Sequence, residues 1–332
     1  MRVFARAGVV RLLVAVLSFA ALSVMPQAAQ AQQQKYPDKS VRIIVPFTAG
    51  GATDIIARVM AQGLTETLGQ TVVIENRPGA GSNLGANAVA RSDPDGHTLL
   101  IASSGIIASP ALYRNLTYDI FKDLAPVAEL VVSTNVMVAG QKTGITSIAD
   151  MLREAKAHPD RLNYASPGTG TTPQLAMEML KLRAGVSITH VVFGGAAPAM
   201  QAMLAETIQL GSMALSNIHG QIKAGAFKGL AVTGKERWHD LPDIPTVEEV
   251  GFPDFDFETV FILMAPGGTP DEIVQWLAKD TMTILNRPEV RERMQSIGYA
   301  VLARGPEALK ARIAKEVPLY KDIVAKAGIP MN

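Results

Sequence analysis

The sequence predicts an α/β fold, with parallel sheets covered by helices on both faces. Three observations predict it. Short apolar runs alternate with segments of helical spacing along most of the chain. The first of these runs, Val41–Val45, is apolar at every position but Arg42, closer to a strand buried on both faces than to strict alternation. Two strands also run into glycine-rich turns that open helices, and strands alternating with helices over this length build parallel sheets.

The elements follow in order. Val41 to Val45 is a strand, broken by Gly50-Gly51. Asp54 to Leu68 has helical spacing, with Ile56, Met60 and Leu64 on one face. Thr71 to Ile74 is the next strand, Leu84 to Val89 a short helix, and Asp93-Pro94-Asp95-Gly96 a turn. Thr98 to Ala102 is a third strand. The alternation resumes with a helix at Ile148–Ala157, a strand near Leu162–Ala165 and a helix at Pro173–Ala184. Strands are expected near Ile188–Phe193, Ile208–Leu210 and Leu230–Val232, with helices between them, and then at Val260–Met264. Helices at Pro270–Leu285 and Pro306–Ala325 close the chain. No period of the solenoid kind is present. The first half is expected to end near Val132–Val138.

Composition narrows the function. The 332 residues are 48% hydrophobic, enough for one large or two medium domains. A formal net charge of +1 gives no electrostatic case for nucleic acid. Cysteine is absent, which excludes disulfides, thiolate metal sites and a Cys nucleophile. At the N-terminus, Arg2, Arg6 and Arg11 precede an almost wholly apolar run, Leu12 to Met25. Spanning a bilayer takes roughly 20 residues, so the run is short for a membrane anchor. Ala29-Gln30-Ala31 then offers small residues at −3 and −1. The order is that of a secretory signal peptide cleaved after Ala31. Cleavage would remove three arginines and no acid, leaving 28 basic against 30 acidic residues.

Two strand-to-helix turns carry the chemistry. The first is Val45-Pro46-Phe47-Thr48-Ala49-Gly50-Gly51-Ala52-Thr53-Asp54. The second is Tyr164-Ala165-Ser166-Pro167-Gly168-Thr169-Gly170-Thr171-Thr172-Pro173. In each, glycines let a ligand approach the backbone, and the free N–H groups and positive dipole of a helix N-terminus converge on one spot. The plainer reading is a strand end and a helix cap. Two such turns, one per half, could grip an anion from both sides, in the crevice beyond the strand ends where open α/β sheets bind ligands. Neither turn contains Lys or Arg. Thr169 to Thr172 lacks the lysine a P-loop needs, and Gly79-x-Gly81-x-x-x-Gly85 places its last glycine too late for dinucleotide binding. An anion would therefore be held by backbone N–H groups and hydroxyls, and bulk at Gly50, Gly51 or Gly170 is expected to abolish binding. Asp54 lies in a first helical turn, where an acid either caps or meets ligand.

Catalytic arrangements are not apparent. The five histidines, His97, His158, His190, His219 and His239, show no metal-ligand spacing. His190, in a strand, is expected to be structural. Ser103-Ser104-Gly105 is not a nucleophile elbow, but its serines can donate hydrogen bonds into a cleft. No catalytic residue, no metal and no cofactor are expected.

The first turn, with Ala57-Arg58 after it, resembles the opening ligand loop of the Bug/TctC family, periplasmic solute-binding proteins of tripartite tricarboxylate transporters. Further matching segments follow in order: Glu75-Asn76-Arg77-Pro78-Gly79-Ala80-Gly81, Pro94-Asp95-Gly96-x-Thr98-Leu99-Leu100, Asn163-Tyr164-Ala165-Ser166, Ala197-Pro198-Ala199, Leu230-Ala231-Val232-Thr233-Gly234, Leu241-Pro242-Asp243-Ile244-Pro245-Thr246 and Ala265-Pro266-x-Gly268-Thr269-Pro270. The resemblance covers nearly all of residues 36–330. It implies the type II periplasmic binding-protein fold, two α/β domains flanking a ligand cleft. Domain 1 would comprise 32–134 and 254–332, and domain 2 would comprise 135–253. The implied protein is a periplasmic monomer that hands an organic carboxylate to membrane permease subunits. Where relatives carry Pro-Tyr-Lys-Gly this chain has Val192-Phe193-Gly194-Gly195, and it has Gln209 and Met213 where they usually carry Asp.

The expected ligand contacts are Phe47, Thr48, Ala49, Gly50, Gly51 and Asp54 in the first loop, and Ser103 and Ser104 after the third strand. From the second half come Ser166, Gly168, Thr169, Gly170, Thr171, Thr172, Phe193, Gly194 and Met213. Phe47, Ile106, Ile107, Phe193 and Met213 are candidates for an apolar lining, which favours a dicarboxylate, straight-chain or aromatic, over citrate-like acids. Hinges are expected near Val132–Val138 and Gly251–Phe255. An exported α/β enzyme acting on a small acid, or a ligand sensor for a membrane partner, would use the same cleft.

Overall fold

The computed structural model describes residues 36–159 and 161–331. The leader expected over residues 1–31 lies outside them. From Lys39 onward the chain forms one compact unit.

The first layer is built from β1 (Val41–Val45), α1 (Ala52–Leu68), β2 (Val72–Asn76), α2 (Asn83–Ala90) and β3 (Thr98–Ser103). A 3-10 turn at Ser104–Ala108 and a single helical turn, α3 (Ser109–Leu112), lead to β4 (Leu124–Gly140). The middle of the chain supplies α4 (Ile148–Ala157), β5 (Asn163–Ser166), α5 (Thr172–Ala184), β6 (Thr189–Val192), α6 (Ala196–Leu204), β7 (Leu210–Ala214), α7 (Leu215–Lys223) and β8 (Phe227–Val232). It returns through β9 (Glu258–Pro266), α8 (Asp271–Leu285), α9 (Pro288–Ser296), β10 (Ala300–Arg304) and α10 (Pro306–Lys326).

The strands form one curled sheet in the order β2-β1-β3-β9-β4-β7-β5-β6, with β8 and β10 also paired to β4. Pairing is parallel where helices cross over: β1 with β2 and β3, and β5 with β6 and β7. It is antiparallel around β4 and β9. The sheet is thus mixed, where alternation alone led to a parallel one. The difference comes from β9, which returns after a long excursion and lies antiparallel beside β3.

β4 joins the two halves. Its pairing with β9 ends at Thr134↔Glu258, and its pairing with β7 begins at Asn135↔Ala214. The chain passes back between Thr233 and Phe257. Buried hydrogen bonds lace this crossing. Asn135 donates through Nδ2 to the Phe257 carbonyl at 2.6 Å, and Thr259 Oγ1 donates to Asn135 Oδ1 at 2.8 Å. The Gly234 N–H donates to Thr134 Oγ1 at 3.0 Å.

Other elements fall near their expected places, with shifts. The strand expected at Ile208–Leu210 lies at Leu210–Ala214, and the segment Val132–Val138, where the first half is expected to end, falls in the second half of β4. The tail holds α9 and β10 in addition to its two expected helices. α1 ends where Gly69 adopts φ 67° and donates to Thr65, a left-handed stop that glycine permits. The main core runs from Ile44, Leu100 and Ile106 through Tyr164 and Leu175 to Tyr320. A second cluster, including Val136, Met203, Met213 and Ile218, fills the other half.

Candidate functional site

Parallel pairing aligns the carboxyl ends of β1 and β3 on one edge, and those of β5 and β6 in the other half. The loops leaving these ends are the two glycine turns. In the first, Gly50 takes φ 81°, and Gly51 is the N-cap of α1. Asp54, the third residue of the helix, turns back on the loop. Its Oδ2 accepts the Gly50 N–H at 2.9 Å, and Asn76 Nδ2 donates to its Oδ1 at 3.0 Å. Asn76 also donates to the Phe47 carbonyl at 3.1 Å. Arg58, one turn on, donates to both carboxylate oxygens at 2.8 and 3.2 Å. Burial works to raise the Asp54 pKa. The bonds from Arg58, Gly50 and Asn76 outweigh it and hold the carboxyl below its ordinary value.

The second loop repeats the device without a charge. Gly170 takes φ 78°, Thr171 is the N-cap of α5, and Gln174 is again the third helical residue. Gln174 Oε1 accepts the Gly170 N–H at 2.7 Å. Thr171 Oγ1 donates to the Gly168 carbonyl at 2.8 Å.

These bonds decide which donors a ligand can use. The N–H groups of Gly50 and Gly170 are already engaged. The first N–H groups of a helix have no intrahelical partner. In α1 they belong to Ala52, Thr53 and Asp54. In α5 they belong to Thr172 and Gln174, because Pro173 has none. The Asp54 carboxylate is thus taken up by the Gly50 N–H, Asn76 and Arg58, and Arg58 balances its charge.

The expected contacts divide by burial. Thr48, Ala49, Gly50, Thr169 and Gly194 are exposed, and Phe47, Gly51, Ser103, Gly168, Thr171 and Phe193 are half-buried. The turn after β3 meets the second loop: a Cβ on Gly105 would lie 3.7 Å from the Gly170 carbonyl. Leu112 fills the space beneath Gly170, where an added Cβ would lie 2.0 Å from its Cδ1.

Other expectations are corrected. Ser104 is fully buried, and its Oγ accepts the Val260 N–H at 3.1 Å, stitching the turn to β9. Ile106 and Ile107 lie in the main core, and Met213 lies in the second one, each 0–1% exposed. They cannot line a cleft, and the apolar candidates reduce to Phe47 and Phe193. Ser166 and Thr172 are buried beneath the second loop rather than facing out of it.

Three contributors escaped the sequence reading. Gln174 stands three residues after Thr171, the spacing of a helix-capping pair, so its signal was present. Asn76 lay inside a quoted motif without an assigned role. The third is a pairing of Ser166 Oγ with His190 Nε2 at 2.7 Å. It arises because Tyr164 pairs with His190 in the β5–β6 register, which places Ser166 beside the imidazole. No local spacing announces it. Ser166 is 0% exposed, so it does not present a nucleophile to substrate. Among the described residues no group of three or more His, Asp or Glu is placed to hold a metal ion.

Known proteins share this fold. Residues 56–329 match the model of the tripartite tricarboxylate transporter family receptor. The solved periplasmic binding protein BugD is 34% identical, covers 90% of this chain and 100% of its own, and superposes with TM-score 0.78. An R. palustris protein solved with adipate is 32% identical over 90% of this chain and 100% of its own, with TM-score 0.80. MatC from Rhodopseudomonas palustris, solved with bound malate, is 32% identical over 87% of this chain and 100% of its own, with TM-score 0.77. By sequence and by fold, two α/β domains about a ligand cleft, the chain belongs to the tripartite tricarboxylate transporter receptor family, as a solute-binding protein of the TctC and Bug type.

Proposed function

We propose that this protein captures a dicarboxylate between its two glycine loops and delivers it to the membrane subunits of a tripartite transporter. The observation that carries the reading is the matched pair of loops. Each is fixed by a side chain from the third residue of its helix, so that helix N–H groups remain to receive an oxygen at either end of a ligand. The backbone N–H groups of Ala52–Asp54, Thr172 and Gln174, with Phe47–Gly51, Ser103, Gly168–Thr171, Phe193 and Gly194, form the proposed contact set. Relatives solved with adipate and malate support the ligand class, since both molecules are dicarboxylates. Malate carries a hydroxyl, so one polar group on the ligand is compatible with the fold. The apolar walls supplied by Phe47 and Phe193 still favour a short chain over citrate.

The mature protein is exported by its leader, works as a monomer and performs no chemistry on its ligand. Domain 1 comprises 32–134 and 254–332, and domain 2 comprises 135–253. They close about the crossing at Thr134–Asn135 and Thr233–Phe257, because a ligand that touches both loops shifts the population toward closure.

A thermal-shift panel tests the reading. At about 100 times its dissociation constant a ligand stabilises by roughly 2.7 kcal/mol, several degrees for a chain of this size. Adipate or malate should give that shift and adipamide, which lacks the charges, should not. An equal shift with adipamide, or turnover of the acid during incubation, would overturn the proposal.

A further inference from the structure

Beneath the second loop lies a polar group that the ligand contacts do not use. Ser166 Oγ is 2.7 Å from His190 Nε2 and stands within reach of both ends of the Gly168 residue: 3.4 Å from its N–H and 3.3 Å from its carbonyl. A serine hydroxyl has one proton, so it can donate in only one direction at a time. With neutral His190 accepting at Nε2, the chain of bonds runs from Gly168 N–H to Ser166 to His190. With both imidazole nitrogens protonated it runs the other way, from His190 to Ser166 to the Gly168 carbonyl.

We propose that His190 is a positioning residue that sets, through Ser166, which way the Gly168 peptide is hydrogen-bonded, and so gives the second loop two arrangements of different affinity for a carboxylate. The affinity part rests on the dicarboxylate reading above. The protonated arrangement turns the Ser166 proton to the Gly168 carbonyl and places a positive charge under the loop, and that charge favours an anion, while the serine oxygen, with two lone pairs, still accepts the Gly168 N–H.

The surroundings permit the titration. The ionisable groups facing His190 are Tyr164 of β5, stacked on it at 4.8 Å between centroids, and Glu178 and Lys181 of α5. Glu178 accepts from the Tyr164 hydroxyl at 2.5 Å and from Lys181 at 2.8 Å, so those charges balance each other. α6 and β7 carry no ionisable side chain. Burial, followed by smaller opposed effects of Glu178 and Lys181, lowers the His190 pKa from its ordinary value. The neutral arrangement therefore prevails at pH 7, and the change falls below the ordinary histidine range.

Two-dimensional NMR on the ligand-free protein tests the positioning role. Between pH 8 and pH 5 the Gly168 amide should follow the same titration curve as the His190 ring. In Ser166→Ala the ring should still titrate while Gly168 no longer follows, and in His190→Gln the Gly168 curve should vanish. A Gly168 amide that ignores His190 in the unaltered protein would overturn the proposal, even if a variant failed to fold. Adipate supplies the second arm. Comparing the protein with His190→Gln cancels protonation of adipate itself, and their affinity ratio should rise several-fold from pH 8 to pH 5. A flat ratio would refute the affinity difference. Absence of adipate binding at every pH would count against the ligand reading, and the Gly168 curve would still decide the role of His190.

Discussion

Asp54 and Gln174 do the same work with different charge, and that separates capping from ligand contact. If Asp54 acts by holding the Gly50 N–H, Asp54→Asn keeps an acceptor in place and binding should stay within a few-fold. Asp54→Ala removes it and should lower affinity ten-fold or more, with about 0.5–2 kcal/mol of stability lost as for other helix caps. Calorimetric titration with adipate checks both, and equal losses would mean that the charge itself is used. Because the folded-state pKa of Asp54 is lowered, its contribution to stability is present above the unfolded value of about 3.9 and is lost as pH falls through the lower folded one. The loop glycines are not equivalent either. Gly51 has an ordinary φ of −80°, and an added Cβ meets only the Thr48 carbonyl at 3.5 Å. Gly170 has φ 78° with Leu112 in the way. Gly51→Ala should therefore cost under about 1 kcal/mol while weakening ligand binding. Gly170→Ala should lower melting temperature and binding together, since it adds left-handed strain of about 1–2 kcal/mol to a clash. Both glycines were legible in the sequence as loop residues. Their different reasons were not, because Leu112 is brought under Gly170 only by tertiary packing.

At the scale of elements, β4 was the least legible part of the chain. Its 17 residues are mostly apolar, but Pro126, the polar stretch Ser133–Asn135 and two register shifts break the pattern a strand normally shows. Only Val132–Val138 stood out. β10 was hidden for a similar reason: Ala303 takes φ 48° in a short edge strand whose register shifts against β4. By contrast β1 and α4 were read to the residue. One is a β-branched run broken only by Arg42, and the other has Ser147 as an N-cap accepting from the Asp150 N–H at 3.1 Å. The crossing of β4 offers its own tests. Asn135→Ala strips the acceptor from the buried Thr259 hydroxyl and one of two side-chain donors from the Phe257 carbonyl, which keeps Thr233, and should cost about 1–3 kcal/mol in a chemical denaturation experiment. Glu258 pairs with Thr134 at this crossing. Burial, then the nearby Asp256, raises its pKa to about 7 against the opposing pull of Arg312, Arg304 and Lys235. A raised carboxyl binds more protons folded than unfolded, so it lowers stability progressively from about pH 4.5 to about pH 7. Glu258→Gln should raise the melting temperature at pH 8 and change it little at pH 4.

Over the whole molecule, what points to the candidate site in the sequence is the coincidence of two glycine turns with two parallel strand ends. That follows from chain topology, and each half shows it independently. What made the lining unreadable was depth: Ile106, Ile107 and Met213 have the same apolar character as Phe47 and Phe193, and only the packed structure tells core from wall. The described surface also has a shallow pocket beside Lys142, Glu206 and Gln209. It lies at the amino ends of β5 and β7, opposite to the end where α/β sheets place ligands. Amide chemical-shift mapping during titration with adipate separates the two ends and tests the central claim most directly. The account predicts the largest perturbations at Gly51–Asp54 and Gly168–Gln174, on both sides of the cleft at once. Perturbations confined to one of these loops, centred on Lys142 and Gln209, or absent at saturating adipate and malate alike, would contradict it.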